Sequence, residues 1–226
     1  QANTQSVAIN DGKIVVNSTG SAGILAYKSK VTNSGTSPLL PTFDKGISLT
    51  AVKTAAIIGK NGSDIINDGD IVLNSGTQPT NATEGLVGIS IDEVSNEDKA
   101  SAEYISSGGF KNSTVTNNGK IESTSNNVTA MTFENPITGT SRIFGNGLTG
   151  VIDLQGDKST GIYATGAGTY AIANDGIIKS GNSSDANNPN IGMFTDKTGI
   201  TLNNNGTVEG GNKVAGLYGY NINLGT

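Results

Sequence analysis

Residues 201–219 read TLNNNGTVEGGNKVAGLYG, and residues 171–195 carry a related pattern, AIANDGIIKSGNSSDANNPNIGMFT. Each stretch contains an Asn-rich turn that ends in Gly, then a short apolar run, a polar loop, and a second Gly followed by Met or Leu. Self-similarity at intervals of about 20 to 50 residues indicates a repeat architecture, in which stacked units share one core.

The first Gly of this pattern recurs along the whole chain. The turn residues that share it are Gly12, Gly69, Gly119, Gly150, Gly176 and Gly206, with a weaker copy at Gly35. Gly12 and Gly206 are 194 residues apart and bound six intervals, so the mean period is about 32 residues. This period corresponds to one supersecondary unit with loops of variable length.

A second Gly column runs in phase with the first. Its predicted members are Gly23, Gly46, Gly85, Gly161, Gly192 and Gly216, and Asn127 replaces Gly in one unit. Asn is the residue that best substitutes for Gly where the backbone has a positive φ. Both columns are therefore predicted to occupy corners that require a positive φ.

Each unit contains three short segments in which every second residue is apolar, as in a strand with one buried face. Examples are Ile14 and Val16 after the first turn, and Ile162 and Ala164 after the second Gly. Such short strands bury too little surface to be stable alone, so the units are expected to stack. The predicted fold is all-β, a right-handed parallel β-helix of about seven coils that rises about 4.8 Å per coil.

The turn asparagines are predicted to hydrogen-bond their counterparts in the next coil as amide ladders. Two other all-β architectures fit the sequence less well than the β-helix. A β-propeller blade needs about 40 to 45 residues and its own Gly-His and Trp-Asp signature, which this chain lacks. Sandwich domains would need bulkier core residues, and their sequences would not repeat two Gly columns in step with each other.

Composition excludes several classes of function. The chain of 226 residues has no Cys and no His, so it lacks thiol chemistry and the commonest transition-metal ligand. Its formal net charge of −5 argues against nucleic-acid binding. No apolar run approaches the roughly 20 residues of a membrane-spanning helix. No cofactor or metal is expected.

Residues 1–226 are predicted to form a single β-helix fragment of a longer array, because the final residues NINLGT resemble the opening of a further unit. Three insertions interrupt the regular pattern, at 37–44, 90–104 and 181–190. Insertions in a solenoid form loops on one face, and that face is often the binding face. The alternative interpretation is that polar and acidic loops keep the rod soluble.

Three sets of side chains are candidates for partner binding. The first two insertions contribute Leu39, Leu40, Phe43, Asp92, Glu93, Glu97 and Asp98. The third set is Tyr163, Tyr218 and Tyr220, which follow the second Gly column and could form an outward aromatic strip able to stack on a sugar. Tyrosines half-buried in strands, with only a packing role, are the alternative.

An enzymatic alternative rests on Asp64, Asp68 and Asp70, the densest carboxylate set, because β-helix polysaccharide lyases and hydrolases use clustered carboxylates. Asp beside a turn Gly is also favoured for local backbone reasons. The segment GKNGSDII at 59–66 partly resembles a Ca²⁺-binding nonapeptide, but that motif needs tandem copies and only one is present. No catalytic residues are assigned.

The units NNGTVEGGNKVAGLYG, ANDGIIKSG and NDGKIVV resemble passenger repeats of bacterial type V autotransporters, most closely the large fusobacterial outer-membrane adhesins. The resemblance implies a secreted rod on the cell surface, joined to the outer membrane through a C-terminal β-barrel that lies outside this fragment. It also implies non-enzymatic attachment or coaggregation through host-cell or bacterial surface proteins or glycans. The alternatives are a carbohydrate-active β-helix enzyme and a purely structural rod.

Overall fold

The computed structural model describes residues 6–36, 45–92, 113–134, 143–166 and 168–225. The first half of these residues contains β1 (Ser6–Asn10), β2 (Lys13–Val16), β3 (Ala22–Tyr27), β4 (Ser29–Asn33), β5 (Gly46–Leu49), β6 (Thr54–Lys60), β7 (Asp64–Asn67), β8 (Asp70–Leu73), β9 (Leu86–Asp92), β10 (Thr114–Asn117) and β11 (Lys120–Ser123). The second half contains β12 (Val128–Glu134), β13 (Ile143–Asn146), β14 (Val151–Leu154), β15 (Thr160–Ala164), β16 (Tyr170–Asn174), β17 (Ile177–Ser180), β18 (Asn190–Thr195), β19 (Ile200–Asn204), β20 (Thr207–Gly210), β21 (Val214–Tyr218) and β22 (Asn221–Leu224). A single 3₁₀ turn over Ala82–Glu84 is the only helical element of the described residues. None of these residues belongs to a helix with the length and apolar character needed to cross a membrane.

Every strand pairs in parallel with the strands three places before and after it in the chain. The first sheet has the order β1-β4-β7-β10-β13-β16-β19-β22, the second β2-β5-β8-β11-β14-β17-β20, and the third β3-β6-β9-β12-β15-β18-β21. The chain therefore winds repeatedly through three sheets. This arrangement confirms the predicted all-β parallel β-helix, and β22 extends the first sheet as the NINLGT segment predicted.

Isoleucines and other aliphatic residues form the core as columns, one residue per strand. The second sheet contributes the inward column Ile14, Ile47, Ile71, Ile121, Ile152, Ile178 and Val208. The third sheet contributes the facing column Ile24, Ile57, Ile89, Met131, Ile162, Met193 and Leu217. The central members of both columns are fully buried, whereas the first and last are partly buried. The predicted alternation of apolar residues thus corresponds to inward positions.

The corner between the first and second sheets holds the predicted asparagine ladder. Each rung is a hydrogen bond from one Asn Nδ2 to the Oδ1 of the next Asn, at 2.6–2.9 Å. The members are Asn10, Asn33, Asn67, Asn117, Asn146, Asn174 and Asn204. The middle five are buried, so the ladder satisfies amides that would otherwise lack partners inside the protein.

The prediction that the glycines of the first column require a positive φ is wrong. None of Gly12, Gly69, Gly119, Gly150, Gly176 and Gly206 has a positive φ. Close stacking of successive turns explains five of these glycines instead, and Gly12 in the first coil is the exception. A Cβ atom on Gly119, for example, would lie within 3.0 Å of the carbonyl oxygen of Gly69.

Some residues predicted for the second Gly column do not belong to it. Strand register places Gly23, Ala56, Gly88, Ala130, Gly161, Gly192 and Gly216 in one column. Gly46 instead begins β5 in the second sheet, and Gly85 and Asn127 each lie one residue before a strand of the third sheet. A Cβ on Gly161 would lie within 3.0 Å of Cγ2 of Ile178, so small residues are required by the narrow interior.

Among the described residues, positive φ values occur at six residues other than Gly and at five glycines, and Gly46, with a φ of 91°, is the one predicted column glycine among them. Asn127 does have a φ of 54°, as predicted for that residue. Lys53 and Lys213 adopt similar values one residue before a strand of the third sheet, and Lys158 does so two residues before β15. At the corner that leads into this sheet, lysines and Asn127 therefore adopt the positive φ more often than glycine does.

The three predicted insertions have different outcomes. Residues 37–44 lie outside the described residues. Ser90, Ile91 and Asp92 belong to β9, so the second insertion cannot begin before residue 93, and its remainder lies outside the described residues. The third insertion is a loop as predicted, except that Asn190 is the first residue of β18.

Candidate binding surface on the third sheet

The outer face of the third sheet carries a row of stacked aromatic rings. Tyr163, Phe194 and Tyr218 occupy equivalent positions on β15, β18 and β21. The ring centroids of Tyr163 and Phe194 are 5.2 Å apart with planes 13° from parallel, and those of Phe194 and Tyr218 are 5.2 Å apart at 7°. We call these three residues the aromatic ladder.

Two of the three predicted tyrosines, Tyr163 and Tyr218, belong to the aromatic ladder. Tyr163 is half-buried, as the alternative interpretation expects, whereas Tyr218 is exposed. Tyr220 follows the end of β21 and lies outside the ladder, although 68% of its surface is exposed. Phe194 was not predicted. It could have been found from the sequence, because all three ladder residues are the second residue after a column Gly.

The ladder ends at Tyr163 because the next strands carry smaller side chains at the same position. Thr132 on β12 is the neighbour of Tyr163 in register, and Ser90 on β9 is the neighbour of Thr132. Phe194 covers one face of the Tyr163 ring, whereas Thr132 has no ring to cover the other. This change in side-chain size leaves a groove beside Tyr163.

The groove has a volume of about 290 Å³ and lies on the outer face of β9, β12 and β15. The residues that line it are Ala82, Gly85, Leu86, Val87, Asn127, Thr129, Thr132, Glu134, Lys158, Thr160 and Tyr163. Thr132 is 4% exposed and forms the floor, whereas Glu134 and Lys158 are exposed. The lining therefore combines one aromatic ring with hydroxyl, amide, carboxylate and ammonium groups.

The polar groups around Tyr163 affect its ionisation. Burial raises the pKa of the Tyr163 phenol above its ordinary value, and the carboxylates of Asp196 and Glu134 raise the pKa further. A tyrosine phenol, with an ordinary pKa of about 10, is protonated at neutral pH and can donate a hydrogen bond. The Oγ1 of Thr132 donates to Oε1 of Glu134 at 3.4 Å, and this hydrogen bond holds the carboxylate next to Thr132.

Asp92, a predicted binding residue, lies next to the groove. It is the register neighbour of Glu134, so the two carboxylates occupy adjacent strands on the same face. Nζ of Lys60 contacts Oδ2 of Asp92 at 2.8 Å, and both side chains are about one-third exposed. This ion pair leaves Glu134 as the carboxylate that lines the groove.

The other predicted loop residues cannot be placed on this surface. Leu39, Leu40, Phe43, Glu93, Glu97 and Asp98 lie outside the described residues. The six turn glycines of the first column lie between the first and second sheets, away from the aromatic ladder. Their position is consistent with the structural role predicted for them.

The three aspartates of the enzymatic alternative do not form a cluster. Asp64 lies on β7 in the first sheet, where its Oδ1 accepts a hydrogen bond from Thr114 Oγ1 at 2.6 Å. Asp68 lies in the turn and accepts from Asn118 Nδ2 at 3.0 Å, whereas Asp70 begins β8 in the second sheet. Throughout the part of the chain that the structure describes, no three carboxylates are grouped to hold a metal ion.

The outer face of the second sheet has a different character. Its exposed positions include ion pairs between Lys120 and Glu122 and between Lys179 and Glu209. Exposed ion pairs of this kind contribute little to stability and are common on solvated faces. The third sheet is therefore the better candidate for recognition.

No protein-family model, curated protein or solved structure matches this chain.

Proposed function

We propose that this chain is part of a surface-exposed adhesive rod of the bacterial autotransporter type. It attaches without catalysis to proteins or glycans on a host-cell or bacterial surface. The parallel β-helix supports this proposal because it is the fold that the sequence resemblance implies. The observation that carries the binding role is the aromatic ladder on the outer face of the third sheet.

Stacked tyrosines suit a recognition surface for two physical reasons. Tyr provides a large contact area with few rotatable bonds, so little conformational entropy is lost on binding. In this chain mutual stacking restricts the rings further before any partner arrives, yet Tyr218 remains 57% exposed. The surface is thus both rigid and accessible.

Modest affinity at one site is sufficient for attachment. Many copies of a rod on one cell bind simultaneously, and each further contact becomes effectively intramolecular. Overall avidity then exceeds the affinity of one site by about 100-fold or more. A shallow surface with a few aromatic contacts can therefore support adhesion.

Two exposed tyrosines provide a matched test. The purified protein is labelled, and its binding to epithelial cells and to bacteria of other species is measured by flow cytometry. Tyr218→Ala removes the exposed end of the ladder and is expected to weaken binding about fivefold or more, the effect of losing a contact worth at least about 1 kcal/mol. Tyr220→Ala removes a ring outside the ladder that is 68% exposed, against 57% for Tyr218, and is expected to bind as the parent protein does.

Further outcomes separate this proposal from the alternatives. Circular dichroism and thermal unfolding of both variants establish that the fold is intact. Equal binding by parent and Tyr218→Ala would exclude the Tyr218 end of the ladder as the contact surface, and deletion of residues 93–104 would then test the acidic insertion. Absence of binding to every cell type would favour a purely structural rod.

A further inference from the structure

The end of the aromatic ladder has the geometry of a subsite for one ring. Phe194 and Tyr218 show that a ring one strand away stacks on its neighbour at a centroid distance of 5.2 Å. At the position of Thr132 the protein supplies no ring, and the groove lies there. A flat ligand ring in the groove would occupy the next rung and cover the open face of Tyr163.

We propose that this groove binds a neutral hexopyranose unit of a glycan, stacked on Tyr163. The inference rests on the proposed function, since it specifies what the third-sheet surface recognises. A pyranose ring has a face of C–H groups, which packs on an aromatic ring, and a rim of hydroxyl groups. The groove offers a partner for each part.

The hydroxyl rim would meet the polar groups that line the groove. Glu134 presents an exposed carboxylate, which accepts hydrogen bonds from sugar hydroxyls more strongly than a neutral oxygen does. Thr129 and Thr160 can donate and accept, and Lys158 can donate. Hydroxyl groups that leave water on binding would therefore find replacement partners.

The same groups argue against an aromatic side chain of a partner protein as the occupant. Such a side chain would stack on Tyr163 equally well but would cover Glu134 and the threonines without supplying donors. Covering an unpaired polar group costs about 1–3 kcal/mol, and more for a charged one. This cost would exceed the about 0.5–1.5 kcal/mol that ring stacking contributes.

The charges of the lining favour a neutral sugar over an acidic one. One carboxylate, Glu134, and one ammonium group, Lys158, are the charged groups of the groove in the described part of the chain. Asp92, beyond Glu134, is paired with Lys60. A sugar carboxylate would gain attraction from Lys158 but would meet repulsion from Glu134.

Saturation-transfer NMR with simple glycosides tests the proposal directly. The parent protein is mixed with methyl glycosides of glucose, galactose and mannose, and with methyl glucuronide as the acidic comparison. At least one neutral glycoside is expected to receive saturation, most strongly at the C–H protons of one ring face. Glucuronide is expected to receive less.

Amino-acid substitutions test which side chains contact the sugar. Tyr163→Ala is expected to lower the affinity about three- to tenfold, which corresponds to the loss of one stacked ring. Tyr163→Phe keeps the ring and is expected to weaken binding less than Ala does. Glu134→Gln is expected to lower the affinity about tenfold through loss of charge-assisted hydrogen bonds. Tyr220→Ala is the matched control outside the ladder and groove.

The outcomes distinguish this inference from the adhesion proposal. Failure of all neutral glycosides, or an affinity of Tyr163→Ala equal to that of the parent protein, overturns the sugar subsite. Preferential binding of glucuronide overturns the assignment of a neutral sugar. If cells still bind in a manner that depends on Tyr218 while all glycosides fail, the adhesion proposal stands and the partner contacts the ladder in another way.

Discussion

At the scale of single residues, a methyl group on Gly119 would lie within 3.0 Å of the carbonyl oxygen of Gly69 in the adjacent coil. Gly12 belongs to the same sequence column but lies in the first coil described. A Cβ there would have one neighbour, Asn10 Oδ1, at 4.0 Å. The same motif residue therefore has different steric surroundings in the two coils.

Alanine substitutions at these two glycines show whether Gly is required because a side chain would clash or because of the backbone conformation. Gly119→Ala is expected to destabilise the protein by about 1–3 kcal/mol, the usual cost of forcing a group into filled space. Gly12→Ala is expected to be neutral or slightly stabilising, because the unfolded chain loses conformational freedom. Urea unfolding followed by circular dichroism measures both. Equal losses in the two variants would show that the steric explanation is wrong.

At the scale of elements, strands of four or five residues form few backbone hydrogen bonds with each neighbour. The asparagine ladder adds a side-chain bond at each of the six steps from β1 to β19 in the first sheet. Asn117 accepts from Asn67 at 2.6 Å and donates to Asn146 at 2.7 Å. It therefore links β7, β10 and β13 at a position shielded from water.

Removal of one rung tests the contribution of the ladder. Asn117→Ala leaves the buried Oδ1 of Asn146 without its ladder donor and Asn67 without its ladder acceptor. The expected loss is about 2–3 kcal/mol, in the range for unsatisfied buried polar groups. Asn118→Ala, one residue later, removes an exposed bond to Asp68 and is expected to cost less than about 1 kcal/mol. Thermal unfolding of the pair measures the difference, and equal melting temperatures would contradict a stabilising ladder.

At the scale of the whole molecule, each coil contacts mainly the coils before and after it. Stability in such a solenoid is close to a sum of contributions from units and from neighbouring interfaces. All four residues of β22 are exposed, and four of the five residues of β1 are exposed. By contrast, Ile121 on β11 is completely buried.

Hydrogen exchange should therefore show a gradient of protection along the molecule. Amides of β11 and β12 are expected to exchange only on extensive unfolding, whereas amides of β1 and β22 exchange through local opening. If the free energies of these two opening reactions differ by about 2.7 kcal/mol, the amide exchange rates differ by about 100-fold. Mass spectrometry of peptic peptides measures the gradient. Uniform protection from β1 to β22 would indicate a single cooperative unit instead.

Much of the architecture could be predicted because its determinants repeat locally. The alternation seen at Ile14 and Val16 depends only on the geometry of one strand, and the turn asparagines are recognisable in each unit. The second column was less predictable. Gly88 and Ala130 lie three residues after the residues assigned to it, since loop lengths vary and only contact between coils sets the register.

The candidate site was only partly predictable for the same reason. Tyr163 and Tyr218 were identified from their sequence position, and Phe194 could have been. The groove could not, because it exists where Thr132 and Glu134 on one strand meet Tyr163 on the next. No local pattern marks a gap that is produced by a small side chain beside a large one.

The sequence by itself determined that the chain is a stack of three-stranded coils with asparagine at one corner. The repeated turn and the strand period are properties of short segments, and every segment carries them. The tertiary structure alone decided which residues became neighbours, why the turn residue must be glycine, and where the outer face is open. These features depend on distances between coils, and such distances are defined only when equivalent strands pair along the whole molecule.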